Sequence, residues 1–178
     1  KIPAPQIVYT KDVFHDLMIF IIEQQIHYRS TKKIFQKMLN MSNLELLNSS
    51  NFHVFEEKSF ANLKLANSKF ETIIRVLEFW ETNQIDWQLL SDEEVISKLS
   101  TIKGIGKWTI DMILLYTLER PNIFPSDDFH LKQIMISLYG LEEKVKLKAQ
   151  MINISNNWGN QQSIAVKYLL SWKQHIKK

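Results

Sequence analysis

Only four glycines and four prolines interrupt the 178 residues of this chain, and between them apolar side chains return at spacings of three and four. Phe14, Leu17, Met18, Ile21 and Ile22 mark one such face, and Phe70, Ile73, Ile74 and Leu77 another. That is the period of an amphipathic helix. No Asn-Gly or Asp-Gly dipeptide and no long alternating β-branched run offers a β-hairpin. Ser42, Ser68 and Ser91 each stand three residues before a glutamate, which is the spacing of a capping box at a helix start. The pattern therefore predicts an all-α fold, a bundle of about ten short helices in a single domain over residues 1–178, of a length that allows a bilobal form. The predicted helices lie near 11–27, 30–40, 43–49, 52–58, 68–81, 87–90, 92–99, 107–118, 128–139, 141–155 and 161–176.

At 45% hydrophobic and 11% aromatic, the chain has enough apolar material for a real core. Its 22 Lys and Arg against 19 Asp and Glu give a net charge of +3, which permits a polyanionic partner without demanding one. The absence of cysteine removes disulfides, thiolate zinc sites, iron–sulfur clusters and cysteine nucleophiles together. The five histidines, at 15, 27, 53, 130 and 175, show no metal-ligand spacing. No apolar run reaches the ~18 residues of a membrane span, so an intracellular protein with no membrane partner is expected.

Two of the four glycines lie two residues apart in Thr101-Ile102-Lys103-Gly104-Ile105-Gly106-Lys107-Trp108-Thr109, between two predicted helices. A Gly-x-Gly turn that feeds a helix start exposes backbone N–H groups able to cradle a phosphate. A tight loop that merely needs a positive φ would give the same pattern. About twenty residues on, after a connection stiffened by Pro121 and Pro125, comes Phe124-Pro125-Ser126-Asp127-Asp128-Phe129-His130-Leu131-Lys132-Gln133, with an aspartate pair where a helix should begin. Asp127 fits the helix-capping duty, leaving Asp128 one position further in and free for chemistry.

The hairpin resembles the helix–hairpin–helix of the DNA glycosylase superfamily, and the Asp128 segment resembles that of its 3-methyladenine, alkylation-repair type. The likeness extends upstream to Ile21-Ile22-Glu23-Gln24-Gln25-Ile26, similar to the family's segment that ends a helix at the loop entering the DNA minor groove. It extends downstream to Trp158, Ser163 and Ala165, so that it spans roughly Phe14 to Trp172. Lys103 stands where the family often has proline, and Asn160 and Gln162 where it often has Pro and Arg.

The resemblance implies a monofunctional glycosylase of base excision repair that flips an alkylated purine out of double-stranded DNA and hydrolyses its N-glycosidic bond. Asp128 would be the catalytic residue, stabilising the positive charge that develops at C1′ and orienting water. Trp108 and Phe129 would wall the base pocket, where an electron-rich ring attracts a cationic methylated purine. Gln25 would be the wedge that fills the vacated stack, with His27, Tyr28 and Arg29 beside it. Lys103, Gly104, Gly106, Lys107 and Thr109 would hold one phosphate, Lys107 and Thr109 through their side chains.

In lyase members a lysine stands four residues after the first hairpin glycine; Trp108 occupies that position here, so no strand cleavage is expected. The resemblance further implies a Na⁺ or K⁺ on the main-chain carbonyls of Ser100, Ile102 and Ile105, no other cofactor and no iron–sulfur cluster. The protein would act as a monomer on damaged duplex DNA in the cytoplasm or nucleoid, or in a nucleus. From the residues alone, a non-catalytic DNA-binding module and a helical interaction domain stay open beside it.

Overall fold

The computed structural model describes residues 10–23, 28–60 and 66–176. Among them the secondary structure is helical throughout: α1 (Val13–Glu23), α2 (Tyr28–Ser42), α3 (Phe52–Ser59), α4 (Asn67–Thr82), α5 (Asp92–Ser100), α6 (Lys107–Met112), α7 (Phe129–Tyr139), α8 (Leu147–Asn156) and α9 (Gln162–Ile176). Short 3₁₀ turns precede α3 and α9, and a π-helical segment, Ile113–Thr117, continues α6.

Helix α1 is the axle of the core. Val13, Phe14, Leu17, Met18, Phe20, Ile21 and Ile22 are all buried, so apolar residues cover more than one face, as in a helix enclosed by its neighbours. It packs on α2, α4, α6 and the π segment. Its polar residues His15 and Asp16 are buried as well and both are satisfied. His15 Nδ1 accepts the Leu47 N–H at 2.9 Å, and Asp16 accepts the hydroxyls of Thr10 and Thr117. Aromatic rings fill the spaces around the axle, with Trp80 and Trp87 stacked at 5.5 Å and Phe35 against Phe55 at 5.5 Å.

Two short predicted helices, 43–49 and 87–90, are turns instead, and the one predicted at 141–155 begins late. Asn43 adopts a left-handed φ of 56° and ends α2, with Leu44 N–H returning to the Leu39 carbonyl; residues 43–48 are then turn and bend, and Ser42 closes one helix rather than opening the next. Gly140, at φ 63°, ends α7 in the same way, and α8 begins at Leu147 rather than near 141. Residues 87–90 form a turn on Asp86, whose side chain accepts the Gln88 N–H and whose carbonyl accepts the Leu89 N–H. Of the expected capping boxes, only Ser91 with Glu94 forms. Ser42 bonds Met38 and Ser59, while Ser68 lies inside α4 behind the uncapped Ala66. A box not foreseen joins Asn48 and Asn51, where an amide does the work of the hydroxyl.

Candidate active site

Ser91 and Glu94 start α5, which runs to Ser100 and gives way to the bend 101–106. Ile102 and Ile105 are buried and anchor that bend in the core, and the Ile105 N–H closes it on the Ile102 carbonyl at 3.0 Å. The two glycines between and after them do different things. Gly104 has φ 105°, and a Cβ there would collide with the Thr72 side chain of α4, so both backbone conformation and space require glycine. Gly106 has φ −95° and is the N-cap of α6, and a Cβ there would meet nothing within 4 Å. Nothing within the protein forbids a side chain at Gly106. The α6 start has no side-chain cap hydrogen bond.

Lys103 and Lys107 are exposed on this bend. Lys107 reaches along its own helix to Asp111, with Nζ 2.6 and 2.8 Å from the two carboxylate oxygens. Burial pushes the Asp111 carboxyl above its ordinary range, and the Lys107 hydrogen bond works against that. Thr109 departs from expectation: it is 0% exposed, so its hydroxyl is turned into the core and cannot meet a phosphate.

The connection to the second half of the site is strapped from two directions. Ser163, at the start of α9, accepts the Ile123 N–H at 2.9 Å, donates its hydroxyl to the Arg120 carbonyl, and sends its own N–H to the Pro121 carbonyl at 3.0 Å. Phe124 meets Trp158 edge-on at 5.8 Å. The downstream residues Trp158 and Ser163 therefore serve the loop that delivers the aspartates. That structural duty was not foreseen, because hydroxyl-to-backbone bonds across 40 residues leave no spacing to read.

The capping duty expected of Asp127 falls to Asp128. Asp128 is itself the N-cap of α7, with Oδ1 accepting the Leu131 N–H at 2.7 Å. Asp127 points away, where Lys148 Nζ lies 3.0 Å from both its oxygens and Lys132 lies 4.0 Å away. The Lys148 hydrogen bond holds the Asp127 carboxyl below the usual carboxylate range. Capping does not withdraw Asp128 from chemistry, since each carboxylate oxygen has a second lone pair.

The two halves of the site meet through Trp108, whose indole Nε1 donates to Asp128 Oδ2 at 2.8 Å. Its ring is half-buried and abuts Phe20 of α1 edge-on at 6.1 Å. Asp128 is thus 6% exposed, with one N–H on each oxygen, one residue from Phe129, which is 66% exposed. Trp108, two residues after Gly106, thus meets Asp128, and Phe129 follows Asp128 in the chain. Gln25 and His27 fall outside the described residues, and Tyr28 opens α2.

A separate cleft of about 400 Å³ is lined by Lys107, Asp111, Asn122, Phe124, Ser126 and Lys148 among others; Asp128, Trp108 and Phe129 do not line it. Among the described residues no group of three or more His, Asp or Glu side chains could hold a metal ion, and no helix is long and apolar enough to cross a membrane.

No protein-family model matches the chain. It is similar to DNA-3-methyladenine glycosylase 1 of Schizosaccharomyces pombe, 27% identical over 169 residues that span 92% of this chain and 72% of that protein. The solved structure of that yeast's 3-methyladenine DNA glycosylase in complex with abasic DNA superposes with a TM-score of 0.72 at 22% identity, covering 94% of this chain and 83% of the other. A DNA-3-methyladenine glycosidase from Bacillus halodurans superposes with a TM-score of 0.74 at 24% identity over 93% and 77% of the two chains. The fold is shared more widely, for an 8-oxoguanine glycosylase/lyase of Clostridium acetobutylicum superposes at 0.63 with 23% identity over 90% and 60%. With the two-glycine bend, the aspartate at the head of α7 and these likenesses together, the chain belongs to the helix–hairpin–helix superfamily of DNA glycosylases.

Proposed function

We propose that this protein is a monofunctional DNA glycosylase of base excision repair that removes alkylated purines of the 3-methyladenine kind from duplex DNA and leaves an abasic site. The observation that carries this is the Asp128 carboxylate held by Trp108 and Leu131 at the head of α7, within one side chain of the bend that starts α6. Breaking an N-glycosidic bond leaves positive charge on the sugar, so an anion fixed in place near C1′ stabilises the transition state without reorganising. Asp128 also supplies the acceptor that orients the attacking water. An alkylated purine already carries positive charge and departs without a strong general acid.

DNA would lie in the cleft between two helical lobes, with one phosphate on the N–H groups that begin α6 and Lys103 alongside. Gln25 and Tyr28 would contact the groove side. Trp108, whose N–H is engaged by Asp128, and the exposed Phe129 would bound the flipped base. Hydrolysis without strand cleavage is supported by the residues nearest the reacting carbon: position 108 is tryptophan, and the neighbouring Lys107 ammonium is engaged by Asp111. A Na⁺ or K⁺ on the carbonyls of Ser100, Ile102 and Ile105 fits as a set of hard neutral oxygens; the Ile102 carbonyl takes the Ile105 N–H at 3.0 Å and keeps a second lone pair. Such an ion would supply positive charge near the phosphate. The protein would work as a monomer, inside the cell.

Release of free base from methylated duplex DNA tests the reading. Wild type should release 3-methyladenine, while Asp128→Asn should bind the same duplex and release none. Borohydride added during turnover should trap no covalent adduct. Base release by Asp128→Asn at the wild-type rate would remove the catalytic assignment, and salt-dependent duplex binding with no release from either protein would favour the non-catalytic module.

A further inference from the structure

Asp16 is 0% exposed in the middle of the core and takes no part in the base excision described above. Its described donors are hydroxyl and backbone groups: Thr117 Oγ1 at 2.8 Å and Thr10 Oγ1 at 3.0 Å, with the Thr10 backbone. Burying a carboxyl among hydroxyls is an expensive way to join two helices, and an apolar pair of the same volume would serve stability as well or better. A hydrogen bond does something apolar contact cannot, because it fixes direction and register where packed aliphatic surfaces can slide.

The residues it joins are informative. Thr117 is 1% exposed and closes the π segment that continues α6, 101 residues from Asp16 in sequence. On α1, Phe20 lies one turn beyond Asp16 on the same face, and its ring abuts Trp108 at the other end of the hairpin helix. So α1 grips that helix at both ends, by a hydrogen bond at Thr117 and an aromatic edge at Trp108. In an unbroken α-helix, residues nine apart sit about 180° around the axis from one another. The π turn, marked by Leu118 N–H bonding the Ile113 carbonyl at 2.9 Å, accommodates an extra residue. That insertion takes about 100° off the angle and brings Thr117 round toward the side that carries Trp108.

We propose that Asp16 and Thr117 are positioning residues that set the register of the hairpin helix on α1 and, through Phe20 and Trp108, the pose of the Asp128 carboxylate. The inference rests on the glycosylase reading above. It adds a requirement from the opposite end of the core: the hydrogen bond acts on the chemical step rather than on DNA binding.

Single-turnover base release from methylated duplex, measured beside duplex Kd and thermal melting, tests it in Thr117→Val, which removes the hydroxyl at nearly constant shape, and in Thr117→Ser, which keeps it. The valine variant should lose roughly 10- to 100-fold in release rate, the loss expected of a small misplacement of a catalytic group, with Kd nearly unchanged. The serine variant should keep the wild-type rate. Asp16→Asn, which preserves shape and both hydrogen-bonding positions, should also stay close to wild type, and this comparison stands even if the valine variant does not fold.

A folded Thr117→Val at the wild-type rate, equal losses in Val and Ser, a parallel loss of Kd, or a slow but fully folded Asp16→Asn would each overturn the positioning role while leaving the glycosylase reading intact. A wild-type protein that releases no base would reject that reading, and this inference with it.

Discussion

The indole nitrogen of Trp108 stands 2.8 Å from Oδ2 of Asp128, so the second residue of the hairpin helix directly holds the carboxylate that caps α7. The bond spans 20 residues and joins the bend that would grip DNA to the group that would act on the sugar. Trp108→Phe keeps an aromatic ring against Phe20 and deletes the donor. A hydrogen bond to a charged group is worth about 1.5–3 kcal/mol, so base release should fall roughly 10- to 100-fold. Duplex affinity should change little. Single-turnover release and a binding titration on the same variant check both halves of this expectation.

The two hairpin glycines should separate folding from binding. Gly104→Ala places a methyl group into Thr72 at a φ of 105° and should destabilise the fold by about 1–3 kcal/mol. Gly106→Ala meets open space at an ordinary φ, so its melting temperature should stay within a degree or two of wild type, in keeping with a site free of strain. If a DNA backbone does approach there, Gly106→Ala should nonetheless weaken duplex binding. Chemical denaturation and a binding titration on the pair give the four numbers needed.

Lys107 was expected to reach a phosphate, yet its ammonium lies 2.6 Å from the Asp111 carboxylate in the free protein. Asp111→Asn should loosen that hold and remove a charge whose burial is unfavourable. The variant should therefore melt no lower than wild type near neutral pH. Its duplex affinity should rise at low salt, and the plot of log K against log salt should steepen by about 0.9 if Lys107 then contacts one phosphate. An unchanged slope would mean that Lys107 stays a structural cation.

Much of this arrangement was legible in the residues, and the parts that were not share a cause. Helical periodicity and the paucity of glycine made α1, α4, α5 and α9 readable, because burial of a continuous apolar stripe repeats every turn. The bend was readable because position 104 demands glycine, and the aspartate after Pro125 because a helix start favours a capping side chain. The division of labour between Asp127 and Asp128 was not. Either can cap a helix, and the choice is made by Lys148 and Trp108, which arrive from 20 or so residues away. Thr109 was misplaced for a similar reason: a hydroxyl in a first helical turn gives no sign of which neighbours will cover it. The turns that follow Asn43 and Gly140 were missed because a left-handed cap is decided at one residue while the apolar pattern runs on past it.

The buried pair His15 and Asp16 gives the fold a pH dependence with two opposed signs. Burial lowers the His15 pKa from 6.5, with the nearby Asp16 and Asp12 charges acting against it, and the neutral ring accepts the Leu47 N–H at 2.9 Å through Nδ1. The unfolded chain therefore takes up this proton at a higher pH than the folded one. Stability associated with His15 is full above 6.5 and is lost progressively as pH falls below that value. Asp16 and Asp111 behave the other way: burial raises both from 3.8, so the folded protein binds their protons more tightly, and the stability they contribute in acid is lost as pH rises above 3.8. Between pH 7.5 and 5.5 the histidine should dominate, because that interval spans its unfolded value of 6.5 and lies above the unfolded value of 3.8 of the two aspartates. Urea denaturation at those two pH values should show wild type losing stability in the more acidic buffer. His15→Asn, whose amide oxygen can take the Leu47 N–H without titrating, should show a smaller loss or none; an undiminished loss in that variant would place the titrating group elsewhere in the core.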